Sequence, residues 1–330
     1  MEYRFLGKTG IKVSKLCLGT MTFGGDADEK ESEAMFNYCR EQGINFFDTA
    51  DVYTQGRSEE ILGRLIKDCR EEVIVATKVY FPTSEDVNAR GSSRRHIFLS
   101  VEGSLRRLKT DFIDLLYLHR FDDFTALEET LRALDDLVRQ GKVMYIGASN
   151  FAAWQVEKSL GLQGLHNWVS FVCLQPMYNL VKRQAEVEIL PMAQAENLAV
   201  CPYSPLGGGL LTGKYTTSTK PQKGRLVENK MYRTRYGAKW MYEVAEKFVA
   251  LAQELGYHPI SLAIAWVASH PAVTAPIIGG RNLAQLRPSV EAAKIEINEE
   301  LRQKISSLSP EPPPATDRNE ERSPYTFGQR

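Results

Sequence analysis

INFFDTADVY, residues 44–53, sets a short apolar run at 44–47 against a carboxylate at its end, Asp48, with a phenol, Tyr53, just beyond. A run of this length and composition reads as a buried strand. One acidic residue at such a tip could be no more than a helix cap. The same shape recurs down the chain, and the recurrence decides the fold. Apolar runs fall at 15–18, 44–47, 73–76, 113–118, 143–146, 171–174, 198–201 and 274–278, eight in all, with helical patterns between them. The clearest helix covers 125–139, where Leu127, Leu131, Leu134 and Val138 share one face. Thr125 and Glu128 have the spacing of a capping box, and Gly141 suits the left-handed position past the end.

Near-continuous apolar strands alternating with helices predict a parallel sheet covered by helices. Eight runs are what a closed α/β barrel of the (β/α)8 kind needs; a doubly wound open sheet is the competitor. Ahead of the alternation, YRFLGKTGIKV at 3–13 reads as a hairpin around Gly7-Lys8-Thr9-Gly10. Residues 207–238 are rich in Gly, Lys and Thr and too long for an ordinary connection, which predicts a functional loop. Residues 309–330 are Pro-rich and charged, and an irregular C-terminal tail is expected there. No linker or internal repeat interrupts the rest, so residues 1–330 read as a single domain.

Lys plus Arg equals Asp plus Glu at 41 each, leaving no electrostatic footprint for nucleic acid or an anionic membrane. The apolar run around 262–268 is too short to span a bilayer, and nothing after Met1-Glu2-Tyr3-Arg4 reads as a secretory leader. Cys17, Cys39, Cys69, Cys173 and Cys201 are widely spaced, without a CxxC pair. That predicts reduced thiols and a cytoplasmic location. Oligomeric state is left open.

The residues that follow the runs carry the chemistry. They are Gly19-Thr20-Met21, Asp48, Thr77-Lys78, His119, Gly147-Ala148-Ser149-Asn150, Gln175, Pro202-Tyr203-Ser204 and Gly279-Gly280-Arg281. In a parallel barrel all these tips gather at one mouth, the face where barrel enzymes work. Asp, Tyr, Lys and His make an acid–base set; Asn, Gln and Ser recognise amides. A free phenol has a pKa of about 10 and is a poor donor near neutrality. An adjacent ammonium lowers that value, so Lys78 is expected to acidify Tyr53 while Asp48 holds Lys78 by an ion pair. His119 can hydrogen-bond a carbonyl oxygen. Such a site protonates an oxygen as it gains negative charge, which is what a carbonyl requires when hydride reaches its carbon.

With these residues in view, the chain resembles the aldo-keto reductase superfamily. The likeness runs from FLGKTGIKVSKLCLGTMTFG at 5–24, through FFDTADVYTQGRSEEILG, the TK pair at 77–78, DLLYLHR, VMYIGASNF, LQPMYN and YSPLGGGLLTGKY, to PIIGGRNLAQL at 276–286. It implies a TIM barrel plugged by the N-terminal hairpin, with long loops on the C-terminal face. It implies NADPH-dependent, reversible reduction of aldehydes or ketones, with a catalytic tetrad of Asp48, Tyr53, Lys78 and His119 and Tyr53 as general acid. It also implies NADP(H) bound without a Rossmann fold. Ser149, Asn150 and Gln175 would grip the nicotinamide amide and Tyr203 would stack on the ring. Ser204, Leu206, Gly207 and Lys214 would follow the pyrophosphate, and Arg281 and Gln285 the 2′-phosphate. Gly279 and Gly280 would allow close backbone approach, and Gly19, Thr20 and Met21 would complete the cofactor site with Asp48. Two departures stand out: Pro288 and Ser289 occupy places where many relatives carry an acidic residue and Asn, and Met21 replaces a tryptophan that walls the pocket in several.

GGLLTGK at 208–214 imitates a phosphate-binding P-loop, but Tyr215 follows where a hydroxyl for magnesium is needed. No GxGxxG follows a strand. His96, His166, His258 and His270 have no metal-ligand spacing and read as structural or exposed. Two other functions share the same residues. One is a binding subunit that keeps the barrel as a redox sensor, as some superfamily members do for channels. The other is a barrel hydrolase or aldolase with a Schiff-base Lys78.

Overall fold

The computed structural model describes residues 1–219 and 221–316. A hairpin of β1 (Tyr3–Phe5) and β2 (Lys12–Ser14) precedes β3 (Cys17–Gly19), β4 (Phe46–Asp48), β5 (Ile74–Val79), β6 (Ile113–Leu118), β7 (Val143–Ser149), β8 (Phe171–Gln175), β9 (Ala199–Val200) and β10 (Ile277–Ile278). Every one of the eight apolar runs becomes a strand. From β3 to β9 the strands pair in parallel in chain order, and β10 pairs with β3. Thr274 and Ala275 donate N–H groups to Val200 O, and Ile277 donates to Pro202 O, so the ends meet and the sheet closes into a (β/α)8 barrel. Closure excludes the doubly wound alternative.

The helices are α1 (Glu29–Glu41), α2 (Arg57–Leu65), α3 (Arg94–Leu108), α4 (Leu127–Arg139), α5 (Ala153–Leu165), α6 (Ile189–Ala195), α7 (Arg225–Glu228), α8 (Lys230–Tyr236), α9 (Lys239–Glu254), α10 (Pro259–Ala268), α11 (Leu283–Glu291) and α12 (Glu299–Ser306). None among the described residues is long and apolar enough to cross a membrane.

Parity along the strands positions the site. Successive side chains of a strand point to opposite faces. Cys17, Phe46, Ala76, Leu115, Tyr117, Cys173, Ala199, Cys201 and Ala275 fill the barrel interior, and Leu6 and Val13 of the hairpin close it from below. Stepping onward by two from these residues reaches Gly19, Asp48, Lys78, His119, Gln175, Tyr203 and, through Ile277, Gly279. The residues that pack the interior and those that line the mouth therefore share one register. Gly7 lets the hairpin press home: at φ +57° its Cβ position lies 2.6 Å from Val172 O.

One local expectation changes and two are filled in. The capping box at 125–128 does not form. Ala126 is the N-cap of α4 without a side-chain bond, because Thr125 Oγ1 donates instead to the Asp122 carboxylate at 2.7 Å. A charged acceptor outcompetes a main-chain partner for the hydroxyl. The long 207–238 segment is not structureless; it holds a 3-10 turn at Gly207–Thr212 and helices α7 and α8. Of the expected tail, 309–316 has no helix or strand, and 317–330 lie outside the described residues.

Candidate active site

Pairing of β4 with β5 sets Asp48 opposite Ala76, which brings Lys78, the next inward residue, beside the carboxylate. Lys78 Nζ donates to Asp48 Oδ1 at 2.5 Å and to Thr49 O at 2.7 Å. Gln175 Nε2 donates to Asp48 Oδ2 at 2.8 Å. Lys78 is 1% exposed and Asp48 3%. A buried charge pair needs further hydrogen bonds to offset its desolvation, and Thr49 O and Gln175 Nε2 supply them here. Burial disfavours the Lys78 ammonium, yet the Asp48 carboxylate and the neighbouring Tyr53 outweigh it and leave the amine more basic than usual. A Schiff-base lysine needs the opposite, a depressed pKa, so the aldolase reading loses its basis.

Tyr53 arrives from the loop after β4. Its N–H donates to Ala50 O at 3.1 Å, and the chain then turns through left-handed Thr54 (φ 50°) and Gln55 (φ 55°). Thr54 Oγ1 donates to Phe23 O at 2.8 Å, which anchors the turn. Lys78 Nζ lies 4.8 Å from the centroid of the Tyr53 ring, and the His119 ring stands edge-on to it at 5.9 Å. The four side chains expected to act together do come together. The electrostatic outcome differs from expectation. Desolvation raises the Tyr53 phenol above its ordinary value, and Lys78, though it pulls downward, does not overcome it. The group is held as a protonated phenol. Burial, with the Lys78 charge, also drives His119 well below the usual imidazole range, so it is neutral near pH 7. His119 Nδ1 is buried without a partner among the described residues, and Phe81 packs against the ring at 4.8 Å.

The amide-bearing tips form a shelf beside the tetrad. Ser149 Oγ donates to Gln175 O at 2.9 Å, and Asn150 Nδ2 donates to His119 O at 2.9 Å and to Ser149 Oγ at 3.0 Å. Tyr203 OH donates to Asn150 Oδ1 at 2.7 Å. Asn150 and Ser204 both hold φ +56°, the left-handed region, which for serine marks backbone strain. Asn179 ties this shelf to the long loop, donating to Ser204 O at 2.9 Å and to Tyr236 OH at 3.2 Å.

Around the rim, Gly207, Gly208 and Gly209 all have positive φ, and a Cβ at Gly208 would meet the Tyr232 ring at 2.8 Å. Leu206 is half-buried at the start of this turn. The P-loop imitation lies here, and it makes a 3-10 turn rather than a helix start. Lys214 packs over Gly209, its amine made less basic by burial and by Arg281 and Arg225 nearby. Arg281 Nε pairs with Asp26 at 3.0 Å, and its NH2 lies 3.7 Å from Glu228. Gln285 Oε1 accepts from the Arg281 N–H at 3.2 Å. A Cβ at Gly279 would come within 3.1 Å of Gly19 O, and Thr22 Oγ1 donates to Gly280 O at 2.7 Å. Met21 is exposed. Thr20 is not: wholly buried, its hydroxyl bonds Asp48 O and Ser58 Oγ, so it stands in the wall behind the mouth. Pro288 O accepts from Ser261 Oγ at 2.6 Å and Ser289 is fully buried, so this part of α11 packs against α10.

Sequence reading missed one group entirely. Asp51 and Glu59, in the turn and helix either side of Tyr53 in the chain, are buried. Asp51 accepts from Ser100 Oγ; Glu59 accepts from Thr77 Oγ1 at 2.5 Å and Arg107 Nε at 2.6 Å. The only signal was two acidic residues in an otherwise well-packed helix-and-turn segment. Among the described residues no cluster of His, Cys, Asp or Glu could hold a metal, and all five cysteines are free.

A sequence profile of the Aldo/keto reductase family matches residues 15–310. The chain is 39% identical over 327 residues to an uncharacterized oxidoreductase, YrpG, of Bacillus subtilis, covering 94% of this chain and 97% of that protein. It is 36% identical to a probable voltage-gated potassium channel subunit beta of Arabidopsis thaliana, over 89% of this chain and 92% of the relative. It is 34% identical to norsolorinic acid reductase B of Dothistroma septosporum, over 94% and 82%.

Proposed function

The chain belongs to the aldo/keto reductase family of oxidoreductases, and from that premise we propose that it reduces aldehyde or ketone carbonyls with NADPH, using Tyr53 as the acid. The observation that carries this reading is the convergence of Asp48, Lys78, His119 and Tyr53 at one rim, with the first two locked at 2.5 Å.

The residues fit a nicotinamide dinucleotide. Ser149, Asn150 and Gln175 offer amide-matching groups, and Tyr203 offers a flat ring beside them. Gly207 with Ser204 and Leu206 would meet the diphosphate through a turn whose N–H groups suit an anion. Lys214 and Arg281 supply cations, and Gln285 and the start of α11 would stand at a 2′-phosphate. Gly19, Gly279 and Gly280, having no side chains, keep the rim low, and Met21 is exposed beside Thr20. When bound, the reduced nicotinamide supplies hydride to the carbonyl carbon. Tyr53 Oη holds the proton that the oxygen takes up. Its raised pKa keeps that proton on the phenol at neutral pH, and the Lys78 ammonium stabilises the phenolate left behind. Asp48 fixes Lys78 in place. Neutral His119 can donate one N–H to the same oxygen without competing as an acid. In alcohol oxidation Tyr53 acts as the base. Five free thiols suit a reducing cytoplasm.

Titration with NADPH and NADH, followed by a carbonyl panel with the tighter cofactor, tests the reading. Multiple turnovers on at least one carbonyl are expected; none on any would remove it. The likeness to a channel beta subunit favours one further reading, a barrel that oxidises its cofactor once and reports redox state to a partner. Stoichiometric cofactor oxidation that stops after a single turnover would support that role instead.

A further inference from the structure

We propose that Asp51 and Ser100 form a positioning pair for Tyr53: their hydrogen bond fastens the phenol-bearing loop to helix α3 and sets where the phenol stands. The proposal rests on Tyr53 being the reductase's acid. Among the described residues, the Ser100–Asp51 bond is the one side-chain hydrogen bond from the 48–55 segment to α3. The segment's other anchors lie elsewhere. Thr49 N–H donates to Ala76 O and Asp51 N–H to Lys78 O, Thr49 and Ser58 hydroxyls bond each other, and Thr54 reaches Phe23 O. Asp51 is thus gripped on one side by the main chain of Lys78 and on the other by α3, two residues before Tyr53.

Its surroundings leave the carboxyl short of partners. Asp51 is 2% exposed, and among the described residues its Oδ1 has no hydrogen-bond partner. The charged groups facing it are Glu59 of α2 and Arg107 of α3, and Arg107 Nε is already committed to Glu59 at 2.6 Å. From β5 it meets the Lys78 main chain, while the Lys78 ammonium is turned to Asp48. Burial pushes the Asp51 carboxyl up to about 7 and Glu59 works with it; the Ser100 hydrogen bond, the Arg107 charge and the Val52 main chain work against it without overcoming it. A serine hydroxyl serves either state, donating to the carboxylate or accepting from the acid. Ionisation leaves a buried charged oxygen unsatisfied, a costly state that a shift of the loop toward water relieves. The acid form therefore holds Tyr53 in place and the ionised form loosens it.

The test follows the Tyr53 ring resonance, assigned with Tyr53→Phe, in protein carrying 13C-labelled tyrosine, from about pH 6 to about pH 8 with and without NADPH. A shift with its midpoint near neutrality is expected, absent in Asp51→Asn and moved in midpoint in Ser100→Ala. A Tyr53 signal indifferent to pH, or one that titrates identically in Asp51→Asn, overturns the proposal. In the kinetic arm, wild-type kcat falls about tenfold across that range while the Asp51→Asn profile stays flat. Profiles of one shape overturn the proposal. Absence of turnover by the wild type on any carbonyl counts against the reductase reading, and the resonance measurement then still decides the coupling of Asp51 to Tyr53.

Discussion

Gln175 Nε2 donates to Asp48 Oδ2 at 2.8 Å, joining two residues 127 positions apart and tying the shelf of amide side chains to the Asp48–Lys78 pair. Asp48 is held from both sides, by Lys78 on one oxygen and by Gln175 on the other. Replacing Gln175 with Leu should weaken NADPH binding and also destabilise the fold, by about 1.5–3 kcal/mol, because a buried carboxylate oxygen loses its donor. Fluorescence titration and urea unfolding measure the two effects. A loss of affinity with unchanged stability would show that the bond to Asp48 contributes nothing.

Tyr53→Phe removes the hydroxyl and keeps the ring beside Lys78 and His119. The expected result is NADPH affinity within about threefold of wild type and a kcat lower by about two to four orders of magnitude, the range for loss of a general acid. Near-normal turnover in this variant would mean that another group delivers the proton.

Arg281 already has two acidic neighbours, Asp26 at 3.0 Å and Glu228 at 3.7 Å. A phosphate at this rim must compete with them. Arg281→Ala should lower NADPH affinity about tenfold or more and leave NADH nearly unaffected, since charge-assisted pairing is what separates the two cofactors. Asp26→Asn should act in the opposite direction. Equal losses for both cofactors would place the 2′-phosphate elsewhere.

The raised Asp51 pKa has a thermodynamic signature of known sign. Between about pH 4 and about pH 7 the folded protein keeps a proton that the unfolded chain releases, so wild-type stability falls as pH rises through that window and levels off above it. Asp51→Asn removes the loss. Relative to wild type, the variant should gain up to about 4 kcal/mol between those limits. Unfolding free energies at a series of pH values provide the check, and parallel curves for the two proteins would contradict it.

Gly147 enters the barrel interior where Tyr117 needs room. A Cβ there would lie 2.6 Å from Cys173 O and 2.7 Å from Tyr117 Cε1. Overpacking a filled core costs about 1–3 kcal/mol, and main chain on one side limits relief. Gly147→Ala should lower the unfolding midpoint and, by pressing on the interior layer beneath Lys78 and Gln175, reduce turnover as well. Unchanged stability would show a barrel slacker than its geometry indicates.

Much of the architecture was legible in the sequence. The eight apolar runs each became a strand, and the polar residue after each run stands at the mouth or just behind it. The fate of Thr125 was not legible, because Asp122 competes for its hydroxyl only once the loop is folded. Nor was that of Thr20, whose hydroxyl turns into the wall to meet Ser58, 38 positions later.

What the sequence determined by itself was parity. Phe46 and Asp48, Ala76 and Lys78, Tyr117 and His119, Cys173 and Gln175 are each two residues apart, and covalent geometry alone sends both members of each pair to the same face of a strand. What only the tertiary structure decided was charge: the Tyr53 phenol is raised rather than lowered, and Asp51 is raised by burial because Arg107, the cation facing it, gives its Nε to Glu59. A pKa depends on how much water is excluded and on distances between segments far apart in the chain, and neither quantity exists until the barrel has closed.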